Sequence, residues 1–266
     1  MKTNKKKVIK EQDLEQSDLI DQSFERNELN RVYAVDLTFN KISFKQAIIN
    51  KCYFRNCIFK NCDFTGCQVT TTNMQGSDFI GCTFNYATFR ETYIGIDPLS
   101  HNLPGWENLK LSLAKGLRMN YASIGDWDGV NFAIRVELNA TKEHLRKAAF
   151  SRESYYRKKK EYNGIGRVIY ICKFLYFFLM ELLWGNGEKP LRMFVSVPVI
   201  LVVFTCIVSV VIEKSFIEIL KETILFFLIG GESSILGNIM LAMLSVFRYM
   251  VIGLFVSSLV RRLSRR

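Results

Sequence analysis

Residues 52–71 read CYFRN-CIFKN-CDFTG-CQVTT, with cysteine at the first place and an apolar side chain at the third place of every block of five. The same phase extends outward to sixteen consecutive blocks between Ser17 and Ile96. The third place is apolar in all of them, and the first place is small in most of the later ones. A period of five fits neither a helix nor a flat strand, whose periods are about 3.6 and 2 residues. The sequence therefore predicts a repeat with two inward-facing places per block.

These blocks resemble the pentapeptide-repeat family, whose A(D/N)LXX units wind four to a coil into a right-handed quadrilateral β-solenoid. The resemblance covers residues 17–96, and Gln22, Asn27 and Val32 depart from the small first place. Sixteen units imply four coils, which at a strand spacing of about 4.8 Å form a rod roughly 20 Å long. Residues 1–16 are expected to be a polar N-terminal segment.

Five of the seven cysteines occupy the first place of a block. Their spacing differs from the Cys-x2-4-Cys pairs of zinc sites, and cysteine serves as a small buried apolar side chain. We therefore expect core residues, and neither a metal nor a cofactor. The basic N-terminus leads into acidic residues rather than an apolar stretch, so we expect no signal peptide, a cytosolic domain and reduced thiols.

The charge is distributed unevenly. The chain has a net charge of +11, but eight acidic and eight basic side chains cancel within residues 17–96. Some pentapeptide-repeat proteins mimic DNA, and this segment lacks the acidic field that mimicry requires. The basic excess lies at residues 157–160 and 261–266, next to apolar runs. This placement is more typical of a membrane topology signal than of nucleic-acid binding, and we expect no nucleic-acid partner.

No catalytic motif is present in the sequence. We therefore expect no enzyme and no catalytic residue.

A connector of residues 97–166 follows the repeat. Apolar residues at helical spacing predict a helical hairpin of about 104–124 and 127–152, followed by a basic linker. One hairpin cannot bury its own apolar face, so we expect it to pack on the end of the solenoid, on a second copy or on a partner. Trp106 and Trp127 are assigned to the hairpin core, and His101 and His144 to the surface.

Residues 167–266 form the predicted membrane domain. The segments 193–212 and 239–260 are each long enough to cross about 30 Å of hydrocarbon. Basic clusters precede the first apolar run and follow the last one. The positive-inside rule therefore places both ends in the cytosol and requires an even number of crossings. The shorter segment 168–184 is accordingly predicted to lie as a helix at the inner membrane interface.

Between the two spans, residues 216–238 read FIEILKETILFFLIGGESSILGN. The apolar part is short and ends at two glycines, which predicts a re-entrant pore helix and loop, because backbone turns inside a bilayer only where protein or water surrounds it. With WGNGEKPLRMF at 184–194 and GLFVSSLVRRLSRR at 253–266, this arrangement resembles two-transmembrane channels related to potassium channels, here fused to pentapeptide repeats. The resemblance implies a pore shared by several copies, with a tetramer expected.

The filter is assigned to Leu228, Ile229, Gly230, Gly231 and Glu232. This loop lacks the aromatic residue of TVGYG-like filters, so potassium selectivity is not implied. A ring of Glu232 side chains predicts passage of monovalent cations. Arg248 lies within the second span, where a charge costs at least about 2.5 kcal/mol, and we expect it to pair with Glu218 or Glu222. In the alternative arrangement Arg248 lines the pore, which would favour anions.

The sequence thus predicts a multidomain, multi-pass protein of the bacterial inner membrane with both termini in the cytosol. Its leading functional interpretation is an oligomeric cation-conducting pore, coupled to a cytosolic solenoid that senses or binds a protein partner. The alternative is a membrane-anchored scaffold that does not conduct, with the solenoid as its working surface.

Overall fold

The computed structural model describes residues 7–19, 22–231 and 233–264. The chain divides into two compact units, Met1–Asn163 and Gly164–Arg266. The described part of the first unit contains twelve short strands: β1 (Val8–Lys10), β2 (Glu28–Asn30), β3 (Tyr33–Val35), β4 (Thr38–Asn40), β5 (Ile48–Asn50), β6 (Tyr53–Arg55), β7 (Ile58–Lys60), β8 (Gln68–Thr70), β9 (Asn73–Met74), β10 (Asp78–Ile80), β11 (Thr88–Arg90) and β12 (Tyr93–Ile94).

The strands stack in parallel, and each pairs with the strand 20 residues away, as when Leu29 lies opposite Ile49 and Ile49 opposite Val69. One face has the order β1-β2-β5-β8-β11, a second β4-β7-β10, and a third β3-β6-β9-β12. A fourth face is connected by single bridges through Asp63. Four faces per 20 residues make a four-sided β-solenoid of about four coils, as the sequence predicts.

The solenoid begins earlier than the sequence predicts. Strand β1 pairs in register with β2, with Val8 opposite Glu28, and Leu14 is buried in the same core. Ile9 and Leu14 continue the third-place phase, but the charged residues around them conceal it. The predicted boundary at residue 17 is therefore wrong, because part of the segment assigned as a polar N-terminus belongs to the first coil.

All sixteen third-place side chains are buried, which confirms their inward assignment. They are Leu19, Phe24, Leu29, Ala34, Phe39, Phe44, Ile49, Phe54, Phe59, Phe64, Val69, Met74, Phe79, Phe84, Phe89 and Ile94. Phenylalanines of successive coils stack, with ring centroids 4.6 Å apart for Phe39 and Phe59. Complete burial of one such ring contributes roughly 1.5–3 kcal/mol. This apolar column is therefore the main stabilising element of the solenoid.

The five first-place cysteines are also buried, which confirms that they fill the core. First-place side chains donate to the carbonyl 23 residues earlier: the Cys57 thiol to the Ala34 oxygen at 3.4 Å, and the Ser77 hydroxyl to the Phe54 oxygen at 2.7 Å. Burial raises the pKa of Cys52 to about 11. This thiol therefore stays protonated at neutral pH and can act as a donor.

The corners of the solenoid require left-handed backbone. Every fifth-place residue from Arg26 to Glu91 has a positive φ. Glycine adopts this conformation without strain and asparagine does so more readily than most residues, whereas a β-branched side chain does not. The sequence provides favourable residues at some corners, such as Asn61, and an unfavourable one at Thr71, where φ is 49°.

The remainder of the first unit is helical. Its helices are α1 (Ile96–Ser100), α2 (Glu107–Ser123), α3 (Trp127–Phe150) and α4 (Ser154–Lys158), with a 3-10 turn at Lys160–Tyr162. Helices α2 and α3 form the predicted hairpin, and Asp126 caps α3 by accepting from the Gly129 amide at 2.9 Å. Leu113, Leu117 and Tyr121 belong to the same buried core as the solenoid phenylalanines. The hairpin therefore packs on the C-terminal end of the solenoid, one of the three expected arrangements.

Two asparagines close that end of the solenoid. Asn120 of α2 is buried, accepts from the Thr92 amide and donates to the Thr92 carbonyl, both at 2.8 Å. Asn102 accepts from the Cys82 amide at 2.8 Å and donates to the Phe79 carbonyl at 2.6 Å. In a longer solenoid, the next coil would provide hydrogen-bond partners for these backbone groups. Here the two asparagine side chains provide them.

Three assignments in the hairpin are wrong. Trp106 is 60% exposed and Trp127 is 38% exposed, because the smaller residues on the inner faces of α2 and α3 already fill the hairpin core. His144, assigned to the surface, is half-buried and lies against Tyr156, with its Nδ1 3.2 Å from the tyrosine hydroxyl. Burial lowers the pKa of His144.

The second unit is entirely helical in its described part. Its helices are α5 (Ile165–Trp184), α6 (Met193–Val211), α7 (Phe216–Leu228) and α8 (Asn238–Leu263), with 3-10 turns at Gly185–Gly187 and Pro190–Arg192. Helices α5, α6 and α8 are each long and apolar enough to cross a membrane. Helix α5 begins three residues before the predicted segment 168–184, so its length alone does not distinguish an interfacial helix from a spanning one.

Candidate functional site

The candidate site is the segment between α6 and α8. Helix α7 places Ile219, Thr223 and Phe226 on one buried face, and this spacing of four and three residues follows the helical period. Helix α6 contributes buried residues to the same apolar core, among them Leu201 and Val208. The packing against α6 thus fixes the position of α7.

Helix α7 is too short to cross a bilayer. Its 13 residues span roughly 20 Å at about 1.5 Å per residue, against about 30 Å of hydrocarbon. The chain then turns at Gly230 and Gly231, whose φ angles are 83° and 110°. Only glycine adopts such angles without strain. The turn returns the chain through Ser233, whose hydroxyl accepts from the Leu236 amide at 3.1 Å, to the start of α8.

Arg248 of α8 contacts the end of α7. Its Nη2 donates to the Leu228 carbonyl at 3.3 Å. A Cβ atom on Gly230 would lie 2.7 Å from Nη1 of the same side chain. A cation is favourable at this position because the C-terminal end of a helix carries unpaired carbonyls and partial negative charge. The structure therefore brings Arg248, Leu228 and Gly230 together.

The expected acidic partners of Arg248 lie elsewhere. Within the described residues, no ion pair joins it to Glu218 or Glu222. Glu218 is in the first turn of α7, ten residues before Leu228 and thus roughly 15 Å away along the helix axis. The guanidinium instead bonds to the Leu228 carbonyl at the end of α7.

The predicted filter residues other than Gly230 and Gly231 are exposed or lie outside the described part of the chain. Leu228 is 66% exposed and Ile229 is 74% exposed, so neither contributes to the core of its own chain. Glu232 lies outside the described residues. At the end of α7 the chain thus presents apolar side chains on its free surface.

An apolar cavity of about 460 Å³ lies beside the loop within the second unit. Helices α6, α7 and α8 line it, and the lining includes Val197, Leu201, Ile224, Phe227, Val251 and Phe255. Its apolar lining suits an apolar helix or an acyl chain rather than a polar ligand.

The C-terminal end of α5 is attached to the start of α6. Arg192 donates to the Glu181 carbonyl at 3.0 Å, and the Ser196 hydroxyl donates to the Leu183 carbonyl at 2.8 Å. Gly185 closes α5 with a φ of 65°. The sequence analysis ended this segment at residue 184, before Gly185, but it did not predict the bonds from Arg192 and Ser196 to carbonyls of α5.

Residues 39–76 match the family model for pentapeptide repeats in eight copies. Among solved structures, a trypsin-treated variant of QnrB1, a plasmid-mediated fluoroquinolone resistance protein, is similar over 34% of this chain and 54% of its own, with 16% identity and a TM-score of 0.27. A pentapeptide-repeat protein from the Arabidopsis thaliana thylakoid lumen is similar over 47% and 83%, with 19% identity and a TM-score of 0.20.

The chain thus spans about half the length of the QnrB1 structure that it matches. No curated protein matches the chain. The family model covers residues 39–76, and the 20-residue strand register extends the same pattern from β1 to β12. The solenoid of the first unit is a pentapeptide-repeat domain.

Proposed function

We propose that this protein forms an oligomeric, membrane-embedded pore for monovalent cations, with the pentapeptide-repeat domain as a cytosolic sensing or assembly module. The supporting observation is the order of elements in the second unit: a long apolar helix, a helix too short to span, a turn through two left-handed glycines, and a second long apolar helix. Such a re-entrant element is stable in a bilayer only where it faces protein or water.

One loop cannot enclose a pore, so the proposal requires several copies, and we infer four from the resemblance to two-transmembrane channels. The exposed Leu228 and Ile229 and the apolar cavity beside α7 provide surfaces that neighbouring copies can cover. Apolar surface facing a neighbour in place of lipid is stabilised by close packing.

The proposed preference for cations rests on two groups. Glu232 follows the turn in sequence and would place one carboxylate per copy at the outer mouth. The charge of Arg248 is directed at the Leu228 carbonyl, which supports a structural role over a position lining the pore. The membrane is inferred to be the bacterial inner membrane, with both termini in the cytosol.

The test is conduction by the purified oligomer reconstituted into planar bilayers, under potassium, sodium and chloride gradients. We expect unitary currents whose reversal potential follows the cation gradients, reduced by Glu232→Gln and abolished by Gly230→Ala. Gly237→Ala is the matched control, because Gly237 has a φ of −67° and open space around it. Silence from a verified oligomer would exclude the pore.

A membrane-anchored scaffold is the second candidate. It is favoured by tyrosines on the third face of the solenoid, where Tyr33 and Tyr93 are each nearly half exposed. Tyr53 lies opposite Tyr33, and Asn73 separates it from Tyr93. Exposed aromatic side chains on one rigid face provide a contact surface for a protein partner. Absence of currents together with loss of partner binding in Tyr33→Ser and Tyr93→Ser would support this function.

A further inference from the structure

The first unit carries an exposed surface that combines aromatic and basic side chains. We define the Trp–Lys surface as Trp106, Tyr155 and Lys158–Lys160. Trp106 is 60% exposed and its ring centroid lies 6.3 Å from that of Tyr155. Lys159 donates to the Tyr155 hydroxyl at 2.9 Å and lies 4.5 Å from the ring centroid. The three lysines are all exposed.

This surface is held in place by bonds to the chain behind it. Arg157 donates to the Ala148 carbonyl at 2.8 Å and to the Tyr162 carbonyl at 3.0 Å. Asn163 donates to the carbonyls of Arg157 and Lys159 at 2.7 and 2.9 Å. Tyr156 and Tyr162 are buried beneath. The lysines therefore project from a folded segment rather than from a loose linker.

The acidic groups around this surface leave it with a positive charge. Residues 152–163 contain five basic and two acidic side chains. Glu153 pairs with Lys147 at 3.5 Å, and Glu107 lies 3.4 Å from Lys110 and 3.8 Å from Lys147. Lysines outside the Trp–Lys surface thus engage Glu153 and Glu107. The other carboxylate of residues 152–163, Glu161, acts electrostatically on Lys159, and the excess of basic side chains in this segment remains. The ligand that complements what remains is an anion with an apolar part for the indole ring.

The position in the chain points to one such ligand. Lys160 precedes by five residues the first residue of α5, a helix apolar enough to cross a membrane. Exposed tryptophan and tyrosine are favoured at the membrane–water interface, where the ring meets the acyl boundary and the polar tip stays hydrated. Lysines next to a membrane segment are attracted to anionic headgroups, by about fivefold in affinity for each residue.

We propose that the Trp–Lys surface docks on the anionic phospholipid headgroups of the bilayer that holds the apolar helices. The inference requires membrane insertion of the second unit, but not conduction. The first unit would then lie against the membrane in anionic bilayers and be released from it in neutral ones.

The test uses the full chain with Trp127→Phe and Trp184→Phe, which leaves Trp106 as the one tryptophan of the three in the sequence. The protein is placed in nanodiscs whose lipids carry dibrominated acyl chains, with either phosphatidylglycerol or phosphatidylcholine headgroups. We expect quenching of Trp106 fluorescence in phosphatidylglycerol, little in phosphatidylcholine, and reversal by raised salt. Lys158→Gln/Lys159→Gln/Lys160→Gln should abolish most of the quenching.

The matched control is Lys41→Gln/Lys45→Gln/Lys51→Gln, which removes three exposed lysines from the solenoid and should leave the quenching unchanged. Equal quenching in both lipids, no quenching in phosphatidylglycerol, or equal effects of the two triple variants would overturn the proposal. Glycerol phosphate, added in excess, should not relieve the quenching, which separates a bilayer from a free phosphate as ligand. Relief of the quenching by equimolar duplex DNA would instead assign the surface to nucleic acid.

Discussion

The corner residue of each repeat must adopt a positive φ, which some side chains tolerate and others disfavour. Thr71 opposes it, because a β-branched residue at a φ of 49° crowds its own backbone. We predict that Thr71→Asn stabilises the solenoid by about 0.5–1 kcal/mol, since a non-glycine residue in the left-handed region costs roughly 1–2 kcal/mol and asparagine less. Hydrogen exchange of peptides covering residues 66–76 should slow by about two- to fivefold.

Thr70 provides the control for this substitution. It lies one residue earlier in strand β8, where the backbone is extended and threonine is favoured. Thr70→Asn should therefore leave exchange unchanged or accelerate it. Equal slowing by both variants would show that the corner conformation is not the cause.

At the level of single residues, the sequence predicts which solenoid side chains face inward. It predicts less well which neighbours each side chain contacts. The third-place assignments are confirmed because, in a four-sided coil with five residues per side, the third place of every block faces the interior. Trp106 was wrongly assigned to the core because it is large and apolar, and His144 was wrongly assigned to the surface because it is polar, whereas burial depends on what the neighbouring helices leave to be covered. Asn102 was missed, although it lies 20 residues after Cys82 and so continues that column.

Among the elements, the junction between the solenoid and α2 combines apolar packing with one buried polar side chain of α2. Asn120 satisfies both the amide and the carbonyl of Thr92 in a buried position. We predict that Asn120→Ala destabilises the first unit by about 2–6 kcal/mol, because two buried backbone groups lose their partners at about 1–3 kcal/mol each. Exchange should accelerate most in peptides covering 88–94. Asn108→Ala, on an exposed position of the same helix, should have little effect.

A hydrogen bond from Arg248 of α8 to the Leu228 carbonyl joins α8 to the end of α7, next to the turn at Gly230 and Gly231. We predict that Arg248→Gln accelerates hydrogen exchange at residues 228–231 by about ten- to a hundredfold, since a hydrogen bond from a charged group is worth about 1.5–3 kcal/mol. Arg192→Gln is the control, because Arg192 caps α5 in the same way and its loss should affect residues 181–185 alone. If Arg248→Gln altered ion selectivity while exchange stayed unchanged, Arg248 would line the pore instead.

The elements themselves were predictable to different degrees, for physical reasons. The hairpin and the apolar helices follow from helical periodicity and length, and their ends in the structure differ from the predicted ones by a few residues. The start of the solenoid was not found, because Ile9 and Leu14 stand among charged residues in the weakest repeats. The partner of Arg248 was not found either, since a backbone carbonyl leaves no trace in the sequence.

At the scale of the whole molecule, the open question is how many times the chain crosses the membrane. Helix α5 has 20 residues, roughly 30 Å, and is long enough to span. It also carries Lys173, exposed and about 12 Å along the helix from its start. A charge at that depth costs at least about 2.5 kcal/mol. An interfacial α5 avoids this cost and keeps the basic residues on both sides of the apolar region in the cytosol.

We therefore predict two crossings, which impermeant maleimide labelling can test. Single cysteines at Glu188→Cys, Lys214→Cys and Lys115→Cys are introduced into a chain with Cys172→Ser and Cys206→Ser, whose other five cysteines are buried. In intact cells, Lys214→Cys should be labelled, because Lys214 lies between α6 and α7 and the two-crossing topology that we propose puts this connection on the outer side. Glu188→Cys and Lys115→Cys should be labelled only after permeabilisation. If α5 spans the bilayer, Glu188→Cys will be labelled from outside while Lys214→Cys and Lys115→Cys are protected, and the interfacial assignment will be excluded.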